Sequence, residues 1–135
     1  IRSHPASPIS VNTLNQLFPK NKFNLSKYSL LEDLFASDLV VTTMSTVGLD
    51  ATIMEKPTIF VNTTQDQNLL GEFQKHMIES GVALVSNKAN LISYINNYFK
   101  GGWKIDSSKQ KDFLEYFFNS NKEIDLIKLI SNHIK

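Results

Sequence analysis

The sequence predicts an α/β domain built on a mainly parallel sheet of about four or five short strands, with helices on both faces and a helical closure at the carboxyl end. Three observations carry that expectation. Leu39–Val41 and Thr58–Val61 are short apolar runs of the kind that a parallel strand buried on both faces requires. One helical stretch joins them, and Pro57 stands directly before the second run, so strand, crossover helix and parallel strand make a βαβ unit. The alternation then repeats: a helix over about Leu70–Glu79 is closed by Gly81 and followed by another apolar run, Val82–Val85.

Each element has its own signal. Ile1–Pro5 reads as the end of a strand, and Pro5, Pro8 and the Ser/Asn-rich stretch to Asn15 as a loop with at most a short helical turn around Leu14–Phe18. Phe23–Leu25 reads as a brief strand. Ser26 or Ser29 is placed to cap a helix through Leu30, Leu31, Leu34 and Phe35, whose spacings make one apolar stripe that ends at Ser37–Asp38. Beyond the βαβ unit, Asn62–Asn68 is a polar loop. Lys88–Phe99 reads as a helix with Leu91, Ile92, Ile95 and Phe99 on one face, broken by Gly101 and Gly102. Ser107 and Gln110 have capping-box spacing and open a helix faced by Phe113, Tyr116 and Phe117; Ile124, Ile127, Ile130 and Ile134 mark a last one. At helical spacing, Phe113, Tyr116, Phe117 and Phe118 read as core rather than as a nucleobase platform. The layering is Rossmann-like, a three-layer α/β/α arrangement, which by itself says little about chemistry.

The 135 residues, 41% of them hydrophobic, suffice for one compact domain spanning residues 1–135 and are too few for two ordinary ones. A formal net charge of +1, with Lys, Asp and Glu interleaved, gives no basic stripe, so nucleic acid is not the expected partner. The chain has no cysteine, which excludes disulfide staples, thiolate zinc sites and cysteine nucleophiles and fits a reducing compartment, with cytoplasm the expected location. No apolar run approaches the roughly 20 residues that span a bilayer. Because the chain opens at Ile1 inside what reads as a strand, it is expected to be a fragment of a longer two-domain protein.

The turn Thr42–Thr46 is where chemistry is expected, because in βαβ units ligands bind at the carboxyl ends of strands beside the helix N-terminus. Ser45 and Thr46 put two hydroxyls there, where a phosphate would meet unpaired amides and the positive end of the helix dipole. Ser45 also suits plain helix capping. Asp50, one turn after Thr46, is placed either to accept from ribose hydroxyls or to complement the dipole as a solvated acid. Gly48 either admits close approach of a ligand or of a neighbouring strand or is simply a tolerated glycine. His4, fixed by Pro5 at a strand end, suits donation to a phosphate or leaving-group oxygen. His76 and His133 read as surface residues, and the three histidines lack metal-ligand spacing. The absence of a G-x-S-x-G elbow, a Walker loop and a G-x-G-x-x-G fingerprint removes hydrolase, P-loop NTPase and dinucleotide oxidoreductase readings. No acidic pair follows the first strand, which disfavours a receiver domain.

His4-Pro5 at a strand end, followed by LLEDLFASDLVVTTMSTVGLDATIMEKPTIFVN over residues 30–62, resembles the C-terminal, donor-nucleotide-binding half of GT-B glycosyltransferases. It is most similar to the bacterial branch that polymerises capsule, teichoic acid (CDP-glycerol glycerophosphotransferase-like) and polysialic acid, whose members carry a His-Pro and a Ser-Ser or Ser-Thr motif. The resemblance spans roughly residues 1 to 100 and rests on short motifs. It implies His4 as phosphate ligand or leaving-group stabiliser and Ser45 with Thr46 as the phosphate clamp. Asp50-Ala51 stands where many such enzymes have a ribose-binding Glu followed by alanine. It further implies a nucleotide-sugar or CDP-activated donor, a polysaccharide or lipid-linked acceptor held by a missing N-terminal domain, no metal, inactivity of the isolated segment, and membrane association encoded elsewhere. Two departures stand out: Lys56-Pro57 replaces a common Gly-Pro, and Met44 occupies a position often aromatic in teichoic-acid relatives. A UDP-GlcNAc 2-epimerase-like domain shares the fold, but residues 43–48, TMSTVG, lack its double glycine. A non-catalytic α/β interaction module is the third reading.

Overall fold

The structure, a computed structural model, describes residues 1–3, 8–17, 19, 23–43, 45–62 and 71–118. The chain divides into two compact units, Ile1–Ala36 and Ser37–Lys135. The predicted helix at Ile124–Ile134 lies outside the described residues, as do His4, Pro5 and His133.

In the first unit, helices α1 (Val11–Leu17) and α2 (Leu30–Ala36) are each stapled at the start by serine. Ser10 Oγ accepts the Thr13 amide at 3.0 Å. Of the two candidate caps for α2, Ser29 takes the role: its Oγ accepts the Glu32 amide at 3.3 Å while Glu32 Oε2 accepts the Ser29 amide at 2.8 Å, a reciprocal capping box. Ser26 instead donates to Asp33 Oδ1 at 2.5 Å, and Arg2 closes on Asp33 Oδ2 at 2.8 Å. The predicted strand Phe23–Leu25 is not formed. Ile1 N donates to Asn24 O at 2.6 Å and Ser26 N to Ile1 O at 2.8 Å, the two bonds of a single parallel bridge between Ile1 and Leu25. The α2 stripe is narrower than predicted: Leu34 is buried, whereas Leu31 and Phe35 are 63% and 77% exposed.

The second unit is mixed α/β. Strands β1 (Val40–Thr42), β2 (Thr58–Val61) and β3 (Ala83–Ser86) form a parallel sheet in the order β1-β2-β3, so the described residues hold three strands rather than the predicted four or five. Register aligns Val40, Thr58 and Ala83, then Val41, Ile59 and Leu84, then Thr42, Phe60 and Val85. Only β2 is central and buried on both faces; Val41 of the edge strand β1 is 42% exposed, a correction to the reading of β1 as doubly buried.

Helices α3 (Val47–Ile53), α4 (Glu72–Glu79) and α6 (Ser107–Phe118) meet on the Phe60 face, where Phe60, Met77, Val82, Ala83 and Phe113 form the core cluster. Gly48 of α3 lies against the Phe60 ring. Helices that follow successive neighbouring parallel strands and share one face are what right-handed crossovers produce. Helix α5 (Leu91–Phe99) turns Leu91, Tyr94, Ile95 and Tyr98 inward, displacing the predicted stripe, since Ile92 and Phe99 are each 65% exposed. The α6 cap is also not the predicted one. Asp106 Oδ1 accepts the Ser108 amide at 2.9 Å, and Gln110, freed from any capping box, sends Nε2 to Thr52 O at 2.7 Å. Among the α6 aromatics Phe113 is core, while Tyr116 is exposed and packs on His76 at a centroid distance of 4.3 Å. His76, half-buried between Tyr116 and Phe113, is therefore a packing residue and not a free surface side chain.

All three helices α3, α4 and α5 end in the same device. In α4, Gly81 N donates to Ile78 O and Val82 N to Met77 O; in α5, Gly101 N donates to Tyr98 O and Gly102 N to Asn97 O. These are Schellman closures with glycine in the left-handed position, at φ +75° and +77°. In α3 the same bonds run from Glu55 N to Thr52 O and Lys56 N to Ala51 O, and the left-handed residue is Glu55 at φ +57°.

Candidate functional site

The turn from β1 into α3 stands at the carboxyl end of the sheet, as the βαβ reading requires. Its local bonding differs from the expectation of open helix amides. Ser45 Oγ accepts the Val47 amide at 3.3 Å, Ser45 O accepts Gly48 N at 3.2 Å, and Thr46 O accepts both Leu49 N at 2.8 Å and Asp50 N at 3.2 Å. The first amides of α3 are thus engaged within the turn, because the N-cap Thr46 is itself in αR backbone (φ −61°, ψ −16°) and the helix opens with i to i+3 bonds. What the turn offers a ligand is hydroxyl chemistry. Thr46 is exposed and its side chain makes no cap hydrogen bond; the half-buried Ser45 accepts through its oxygen and retains its own O–H to donate. Asp50 is half-buried in the first turn of α3, on the same face as Thr46.

The two roles considered for Gly48 resolve toward packing in one respect: the close approach that it makes is to Phe60 of β2. A Cβ at position 48 would stand 2.6 Å from Phe60 Cε1 and closer still to Cζ. The structure therefore brings Ser45, Thr46, Gly48 and Asp50 together at one helix start, while His4 lies outside the described residues.

Two features were not anticipated from sequence. Gln74 on α4 is buried, with no hydrogen-bond partner for its Oε1 among the described residues. The second is a concavity of about 670 Å³ lined by residues that include Asp38, Glu55, Tyr98, Phe99, Trp103 and Lys104. It sits at the amino ends of the strands, where Asp38 precedes β1 and Pro57 precedes β2, and so at the opposite end from Ser45 and Thr46. The signal for it was the lone tryptophan directly after Gly101-Gly102.

Among the described residues three carboxylates carry lowered pKa values, all at helix starts. Hydrogen bonds from Ser26 and Arg2 hold Asp33 below the usual range, those from Ser29 do so for Glu32, and those from Ser108 and Lys109 for Asp106. None of these belongs to the Thr42–Thr46 turn. Among the described residues no group of three or more His, Asp and Glu could hold a metal ion, and no helix is long and apolar enough to cross a membrane. In comparisons with known proteins no family model, no curated protein and no solved structure matches the chain.

Proposed function

We propose that this chain is the donor-binding domain of a nucleotide-sugar-dependent glycosyltransferase or related glycerophosphotransferase of bacterial surface polysaccharide synthesis, with a Rossmann-like layering and the C-terminal half of a GT-B fold. The observation that carries the reading is the hydroxyl pair Ser45–Thr46 at the carboxyl end of β1, with Asp50 one turn further on the Thr46 face. In this role Ser45 and Thr46 donate to the phosphates of a nucleotide-activated donor and Asp50 accepts from its ribose hydroxyls. His4 completes the motif as ligand to the leaving phosphate. As negative charge builds on the departing nucleotide, these donors offset it, a form of stabilisation that calls for no metal. The acceptor and the catalytic base belong to a partner domain, so this chain alone binds nucleotide weakly and turns nothing over.

The test is a heteronuclear NMR titration of the chain with CMP, CDP, UDP and GDP. Shifts confined to the amides of residues 41–50, lost on replacing Ser45 and Thr46 by alanine, support the reading and name the base. A folded spectrum that no nucleotide moves refutes it for this chain and leaves a non-catalytic α/β interaction module. In that case the double replacement changes only stability, by about 1 kcal/mol for a lost cap.

A further inference from the structure

We propose that the concavity at the amino ends of the strands is a second binding site, and that its ligand is a neutral oligosaccharide. The first ground is a fixed aromatic platform. Tyr98 donates its hydroxyl to Asp38 O at 2.9 Å, and its ring stands edge-on to both Phe99 (5.1 Å, 71°) and Trp103 (5.9 Å, 63°). One anchored ring thereby holds two others at the wall of the concavity, and Phe99 remains 65% exposed. An exposed ring backed by two half-buried ones, beside polar side chains, suits a ligand with an apolar face and a hydrogen-bonding rim. A pyranose has both, in its axial C–H groups and its equatorial hydroxyls.

The second ground is charge. Asp38, Glu55, Lys56 and Lys104 all line the concavity, so the formal charge of its lining sums to zero. A phosphate-bearing ligand calls for surplus positive charge and a basic peptide for surplus negative charge. A neutral polyol needs donors and acceptors together, which the carboxylates and the ammonium groups supply. The volume of about 670 Å³ falls within the range of small-molecule sites, roughly 300–1,000 Å³, and the open side leaves room for a chain to run on.

The third ground is Glu55. The closures of α4 and α5 use glycine at the left-handed position, where an L side chain is strained; α3 keeps a glutamate there, and that glutamate lines the concavity. Folding alone would be better served by glycine, so Glu55 is the residue that the site, rather than the helix end, requires.

Trp103 is the one tryptophan of the chain, so intrinsic emission reads this site directly. Maltotetraose, cellotetraose and N-acetylchitotetraose are titrated into the 135-residue chain, with CDP and tetralysine alongside. A saturable change in Trp103 emission with one of the sugars, at a Kd on the order of millimolar, is expected. Glu55→Gly should raise the thermal midpoint yet weaken that sugar about tenfold, which separates binding from folding. Phe99→Ala, at an exposed position, should weaken it too. The proposal is overturned if no tetrasaccharide moves the emission, if Glu55→Gly binds as tightly as the parent, or if tetralysine or CDP binds here more tightly than any sugar. It does not rest on the donor reading, because that is read at the amides of residues 41–50, at the other end of the strands.

Discussion

Replacing Gly48 with alanine should destabilise the protein, although alanine is the better helix former by about 1 kcal/mol. The added methyl would stand 2.6 Å from Phe60 Cε1 and nearer to Cζ, well inside carbon–carbon contact. Phe60 cannot yield easily, since it is fully buried on the central strand amid Met77, Val82 and Phe113. Overpacking of a filled core costs about 1–3 kcal/mol, and a clash against a ring held on all sides belongs at the upper end. With the propensity gain subtracted, the net loss is about 2 kcal/mol. Urea unfolding should then show a midpoint lower by about 1 M at an unchanged slope, taking a slope of about 2 kcal/mol/M. Phe60→Leu, costly alone, should accept the methyl, so the double variant is more stable than the sum of the single losses implies. A Gly48→Ala protein as stable as the parent, or more so, would refute the argument that Gly48 exists for the ring.

Three further outcomes follow from the contacts. Gln110→Ala removes the Nε2 bond to Thr52 O and leaves that carbonyl with the Glu55 amide alone, so a loss of about 0.5–1.5 kcal/mol is expected in the same denaturation assay. Asp106→Ala should lower the denaturation midpoint as the true cap of α6, while Ser107→Ala should leave it nearly unchanged; the reverse order would restore the capping box. Asp33, Glu32 and Asp106 have folded pKa values below their unfolded ones, so their contribution is present above about pH 4 and is lost as pH falls through the folded values. Acid titration of stability should therefore be flatter below about pH 4 in Asp33→Asn, at equal ionic strength, than in the parent.

What the sequence made legible was what local chemistry decides. The run Thr58–Val61 after Pro57 became β2 residue for residue, and Gly81 and Gly101 became the left-handed closures of α4 and α5, because a proline and two glycines leave the backbone few alternatives. What stayed hidden depended on partners distant in sequence. Ser107 and Gln110 have the spacing of a capping box, yet Asp106 lies one residue earlier with a stronger acceptor, and Thr52, 58 positions away, claims Gln110. The α5 stripe kept Leu91 and Ile95 but exchanged Ile92 and Phe99 for Tyr94 and Tyr98, because tyrosines turn inward as well as aliphatic side chains do. The site followed the same rule: the hydroxyls of Ser45 and Thr46 could be read in place, but the bonding that occupies the first amides of α3 could not.

That bonding makes the turn a product of packing more than of helix formation. α3 has seven residues, too few to be stable alone, so its position is set from outside. Near its start Gly48 seats on Phe60, and near its end Thr52 is held twice, by its own Oγ1 donating to Gly48 O at 3.0 Å and by Gln110 donating to its carbonyl. Ser45 and Thr46 lie three and two residues before the first of these clamps, and Glu55 three residues after the second. One short helix therefore positions both a hydroxyl pair at the carboxyl end of the sheet and a carboxylate at the amino end. A change at Gly48 that tilts α3 should disturb nucleotide shifts at residues 41–50 and sugar-dependent Trp103 emission together, whereas Glu55→Gly should touch the second alone.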